Sequence, residues 1–265
     1  MDFTFLSDRD FLRDMLRIAI PVAIQQLITA GLNMIDVLMV GQLGESAIAA
    51  VGLANQVFFI LILFLFGTSS GMAIFTAQYW GKKDVAPIRL VLGMSILVSA
   101  GAALLVSAAA LLIPESILRF YTADTEVIAL GSGYLRIVGM TYVLTAIASA
   151  YIAVLRSMEI VTPTVIVSVL ALALKTAAGY VLIFGHFGLP ALGVNGAAIG
   201  TALGWVFEII LLLALVYALK TPLAVNPLSF FGFTRGFFWR VIQTVAPATA
   251  NEVAWALGIT TYNAV

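Results

Sequence analysis

The chain has 265 residues, of which 62% are hydrophobic and only 10% charged, and its mean hydropathy is +1.11. A water-soluble domain carries about 25% charged residues to cover its surface, so composition excludes a soluble globular protein and points to a chain whose solvent is lipid. Thirteen basic and thirteen acidic side chains cancel formally, giving no support for a nucleic-acid partner, and the lack of cysteine removes disulfides, thiolate catalysis and cysteine metal sites.

The opening MDFTFLSDRDFLRDMLR mixes both charge signs and lacks the basic region, short apolar core and small-residue cleavage site of a secretory signal. Residues 1–15 therefore read as a cytoplasmic, amphipathic approach to the membrane surface. A helix needs about 20 apolar residues to cross a hydrocarbon core roughly 30 Å thick. Stretches of that kind are predicted at 16–40, 46–77, 88–112, 127–156, 161–184 and 194–219, with a seventh at 240–265. Polar and turn-forming segments separate them: GQLGES at 41–46, GKKDVAP at 81–87, PES at 114–116, FYTADTE at 120–126, RSMEIVTP at 156–163 and GHFGLPALG at 185–193. The second span is too long for the bilayer alone and is expected to tilt or to project into water. With a cytoplasmic N-terminus, the inner side receives Arg9, Arg13, Arg17, Lys82, Lys83, Arg89, Arg156, Lys220, Arg235 and Arg240, and the outer loops little beyond Arg119. That asymmetry sets the orientation. His186, the single histidine, falls in an outer loop and reads as a surface residue.

Spans three, four and six are dense in Ala, Gly and Ser, which lets helices approach closely where no hydrophobic force acts between them. Gly196, Gly200 and Gly204 recur every four residues and form a smooth stripe on one helix face. Span one opens RIAIPVAIQQLITAGL and span seven TVAPATANEVAWALGI. Laying Pro21 over Pro247 sets Gln25 and Gln26 over Asn251 and Glu252. A second copy in the same orientation is expected after six spans and a cytoplasmic connector, 220–239, and internal repeats of this kind are common in secondary transporters. The chain thus reads as one lobe plus the first helix of a second.

Asp36 in LNMIDVLMVG and Lys175 in LALALKTAAGY lie inside long apolar helices. A charge in hydrocarbon costs several kcal/mol, so each must face protein or water and seek a partner. Both spans run outward, and the helix rise places the two residues roughly 8 Å and 15 Å below their outer turns, a difference a lysine stem can cover. Two readings stand: a titratable Asp36 whose proton affinity depends on the approach of Lys175, or a permanent salt bridge between spans one and five. Thr201, Asn33 one turn before Asp36, and the deeper Glu208 are further candidate cavity groups, although each can also serve a local structural bond.

The order of IPVAIQQL, MIDVLMVGQLGESAIAAVGLANQ, AQYWGKKD, YLRIVG, VLRSMEIVTPT, LIFGHFGLPALGVNGAAIGT and the proline at the start of span seven resembles the multidrug and toxic compound extrusion, or MATE, family, nearer its prokaryotic DinF-like branch. The resemblance implies an all-α integral membrane protein with twelve spans in two lobes, of which 16–219 is the first and 240–265 begins the truncated second. It further implies a monomeric plasma-membrane antiporter, not an enzyme, that exports small organic, often cationic, compounds by alternating access. No cofactor or metal is implied, and the missing lobe is required for transport. Asp36 matches the family aspartate of the first span and Thr201 the threonine of the sixth-span motif, both tied to the cation or proton site. Where sodium-capable members carry an asparagine and an aspartate one turn apart in span five, this chain has Lys175 and Gly179. A carboxylate is lost and a fixed positive charge gained, which favours H+ over Na+ in this lobe, with sodium coupling as an alternative. Glu252 invites comparison with an acidic group of span seven in some relatives. A flippase for a lipid-linked precursor is the other transporter reading; its anionic cargo calls for several cavity cations, of which the sequence offers Lys175 and Arg136.

Overall fold

The computed structural model describes residues 9–264, and all of the regular structure among them is helical. The helices are α1 (Arg9–Gly41), α2 (Glu45–Gly81), α3 (Val85–Leu112), the short α4 (Pro114–Arg119), α5 (Thr125–Gly139), α6 (Tyr142–Ser157), α7 (Val161–Phe184), α8 (Val194–Ala218) and α9 (Arg235–Ala264), with a 3-10 turn at Pro227–Phe231. The 1–15 segment expected as a surface approach lies partly outside the described residues, and its described part continues into α1.

Five of these helices are long and apolar enough to cross a membrane, and α5 with α6 make a sixth span bent by 50°. At 37 residues, α2 is roughly 55 Å long by helix rise, well beyond the hydrocarbon thickness, as its sequence implies. The expected seventh span is present as α9, 30 residues long, but falls outside the apolar set because Gln243, Thr244, Asn251 and Glu252 interrupt it. Pro21 and Pro247 both lie inside their helices, as the alignment of the two repeats requires.

Inside the lobe, the PES separator forms the short helix α4, and the 127–156 span breaks at Met140 and Thr141. A break at membrane depth frees backbone carbonyls that must find donors within the protein. Here the Ser107 hydroxyl of α3 donates to the Gly139 carbonyl, and the Thr141 hydroxyl donates to Val138 O at 2.7 Å. Gly139 also lets α3 come close, since a Cβ there would stand 2.9 Å from the Ala110 methyl. On the outer side, Asp124 caps α5 by accepting from the Glu126 and Val127 amides at 2.8 and 3.3 Å.

Packing follows the small residues. A Cβ at Gly196 would meet Leu182 O at 2.5 Å, one at Gly200 the Gly179 amide nitrogen at 2.6 Å, and one at Gly204 the Lys175 Cβ at 2.7 Å. The glycine stripe is therefore the seam between α7 and α8, and it holds Lys175 against α8 along its stem. A second glycine seam joins α2 to α9: Gly67 faces the Thr249 backbone and Gly71 faces Val245. Between the helices lie three apolar clusters, one of them around Met72, Val91, Met94, Val241 and Val245. Leu61, Leu65, Leu135 and Tyr142 belong to a second, and Ile88, Leu92, Leu155 and Leu212 to a third. The connector is tied to the lobe, with Arg89 Nε donating to Pro222 O at 2.8 Å and Phe230 wholly buried against Gly93. Leu27, Leu105 and Leu112 point outward, as side chains in contact with lipid do.

Candidate ion-coupling site

Asp36 sits on α1 and Lys175 on α7, and the pairing of these two helices brings Lys175 Nζ within 2.8 Å of Asp36 Oδ2. The ammonium lies off the hydrogen-bonding direction of that oxygen, so the contact is charge to charge rather than an aligned hydrogen bond. Thr176, the next residue on α7, donates its hydroxyl to Asp36 Oδ1 at 3.0 Å. The carboxylate thus has one partner on each oxygen. Side-chain exposures of 22% for Lys175 and 21% for Asp36 leave the pair open to the solvent of a cavity.

That outer cavity holds about 380 Å³ and is lined by α1, α2, α5, the start of α6, α7 and α8. Asn33, Asp36, Lys175, Gly179 and Thr201 all reach it. Thr201 is buried and donates to Ala197 O of its own helix at 3.0 Å, and Tyr134 of α5 lines the same cavity. Phe58, Tyr142 and Trp205 supply an aromatic wall, Phe58 and Trp205 having ring centroids 4.8 Å apart. The cavity thus sets a charged pair beside an aromatic wall.

Glu208 lies in a separate inner cavity of about 190 Å³. It accepts from the Ser168 hydroxyl at 2.8 Å and feels the charge of Arg156, whose Nη2 donates to Gln25 Oε1 at 2.8 Å. Lys175 and Trp205 line both cavities and form the partition between them. Glu252 is not among the residues lining the outer cavity; it is half-buried beside Gly67 in the α2–α9 seam. Sequence reasoning missed Thr176, Tyr134 and Trp205. Thr176 had a local signal, a hydroxyl beside a lysine at membrane depth, whereas the two aromatic residues had none that separates them from ordinary packing.

A group of three or more acidic, histidine or cysteine side chains able to hold a metal ion is absent among the described residues. The family model MatE matches residues 21–181, more than half of the chain. The chain belongs to the MatE family. This MatE-family chain is 37% identical over 194 residues to "Probable multidrug resistance protein NorM" of Rhizobium meliloti, covering 72% of the chain and 41% of that relative. It is 34% identical to the protein of the same name from Agrobacterium fabrum, covering 75% and 43%. Among solved structures, the outward-facing conformation of a multidrug resistance MATE family transporter of the MOP superfamily shares the fold with a TM-score of 0.82 at 20% identity, over 93% of this chain and 54% of that one. The MatE-family chain thus spans about half the length of the proteins it matches, corresponds to one lobe of a twelve-helix, two-lobe fold, and is a multi-pass membrane protein of a transporter family rather than an enzyme.

Proposed function

We propose that this chain forms the proton-coupling lobe of an antiporter that exports organic, often cationic, compounds across a prokaryotic inner membrane by alternating access. The observation that carries the reading is the 2.8 Å contact between Lys175 and Asp36 at the wall of a cavity between spans. While Asp36 is ionised, its charge and that of Lys175 compensate each other. When a proton takes the carboxylate, Lys175 loses its counter-charge at a depth where an unpaired cation costs several kcal/mol. The cavity then has a reason to rearrange, and that energetic difference is what couples ion movement to conformation.

Sodium fits this arrangement less well. It needs oxygen donors and negative charge, and here an ammonium already occupies the carboxylate while Gly179 presents no ligand. A lipid-linked anionic cargo calls for free cavity cations, and Lys175 is committed to Asp36. Transport requires a second lobe, and the working unit is a monomer in contact with membrane lipid, with its N-terminus in the cytoplasm. The relatives named above are NorM-type proteins, and a DinF-like placement rests on motif order alone.

The test uses the protein expressed from its complete reading frame in cells that lack other efflux systems. Asp36→Asn and Lys175→Ala should each lower proton-driven efflux of an organic cation by about tenfold or more, within the 1–3 kcal/mol range of coupling free energies, at unchanged surface expression. Normal proton-driven efflux in both variants rejects the reading in favour of a permanent salt bridge.

A further inference from the structure

Glu208 is an acidic side chain at membrane depth that the outer cavity does not use. Its cavity is lined by Gln25 and Thr29 of α1, Ser168 and Lys175 of α7, and Trp205 of α8, so the charged groups facing it are Arg156 from α6 and Lys175 from α7. Arg156 commits Nη2 to Gln25, and its Nε is buried without a hydrogen-bond partner among the described residues. Glu208 therefore has one direct hydrogen bond, from Ser168, and no cation within ion-pair distance among the described residues.

We propose that Lys175 serves two carboxylates in turn, Asp36 in the outer cavity and Glu208 in the inner one, which makes Glu208 the inner station of the positive charge that a proton delivers to Asp36. The inference rests on the reading of Asp36 as the coupling carboxylate. Three observations support it. Lys175 already lines both cavities, so turning from one to the other crosses no intervening helix. Gly204, one turn before Glu208 on α8, places no side chain beside the Lys175 stem, where a Cβ would stand 2.7 Å from Lys175 Cβ. Ser168, which marks the level of the Glu208 carboxylate, is seven residues before Lys175 on the same face of α7, roughly 10 Å by helix rise. A downturned lysine stem spans most of that distance, and a water in the polar inner cavity bridges the rest.

Protonation of Asp36 releases Lys175, and the nearest remaining carboxylate in a cavity it already lines is Glu208. The excess positive charge then resides at the inner cavity, where it repels a cationic cargo and holds Glu208 ionised. When the proton leaves Asp36, the recovered carboxylate draws Lys175 back.

A double-mutant cycle on the melting temperature of the full-length purified transporter tests this without requiring transport. With Asp36 present, Glu208→Gln should shift melting by about 2 °C or less, because Lys175 has its other partner. In Asp36→Asn the same substitution should lower melting by about 4 °C more, because Lys175 then has neither carboxylate, and Lys175→Met should abolish the difference. Asp36→Ser, also neutral, serves the same cycle if Asp36→Asn does not survive purification. Equal shifts in both backgrounds, or a difference that survives Lys175→Met, overturns the proposal. Failure of the coupling reading itself would instead appear as retained proton-driven efflux in Asp36→Asn, a separate measurement.

Discussion

In the outer cavity Asp36 has a cation at 2.8 Å and a hydroxyl at 3.0 Å, one on each oxygen, whereas in the inner cavity Glu208 has a hydroxyl at 2.8 Å while the arginine nearby donates to a glutamine. Two acidic groups of one lobe, separated by a shared lysine and tryptophan, are thus satisfied to different degrees. A charge at membrane depth is tolerated when it is paired, so the difference marks the outer carboxylate as the one that holds Lys175 in this conformation. The glycines of the α7–α8 seam fix the Lys175 backbone against α8, and its ammonium meets the Asp36 carboxylate of α1.

The strongest way to break this asymmetry is to move the seam. A Cβ at residue 200 already meets the Gly179 amide nitrogen at 2.6 Å, so Gly200→Leu should leave little folded protein in the membrane, a loss read by size-exclusion yield; normal yield would show that the seam is not rigid. Next in size is a change of ion. The pair Lys175→Asn with Gly179→Asp removes the fixed cation and installs a carboxylate where a Cβ at residue 179 meets only the Met39 methyl, at 3.9 Å. Efflux in that double variant should become sodium-dependent, whereas unchanged dependence on the pH gradient would separate the lysine from ion choice. The smallest effects compare single hydroxyls. Ser168→Ala removes the hydrogen bond that Glu208 accepts and should cost about 1.5–3 kcal/mol, seen as a lower melting temperature, while Thr176→Ala should cost less because Asp36 keeps Lys175. Equal losses would mean that the two carboxylates are held alike.

Much of this arrangement is legible in the sequence because helix rise converts residue counts into depth. Asp36 and Lys175 are polar interruptions of apolar runs, and counting from Gly41 and Gly185 brings them to neighbouring levels without any knowledge of packing. The glycine stripe is also legible as a packing face, though not which helix it packs on. The break in the α5–α6 span is not: YLRIVGMTYVLT is apolar almost throughout, and the group that satisfies the broken backbone, Ser107, comes from another helix. Glu252 shows the same limit, since its place beside Gly67 depends on how α9 meets α2 rather than on the spacing around Pro247. Thr201 was visible as a hydroxyl at depth, but its buried neighbour Tyr134 is supplied by α5, which no local pattern connects to α8.

The most direct test of the coupling claim is proton movement itself. Full-length transporter in sodium-free proteoliposomes, with a pH dye inside and a gradient of an organic cation imposed, should move protons against the cation, and Asp36→Asn should abolish that movement at equal incorporation. Proton movement that requires sodium, or that persists in Asp36→Asn, would contradict the account.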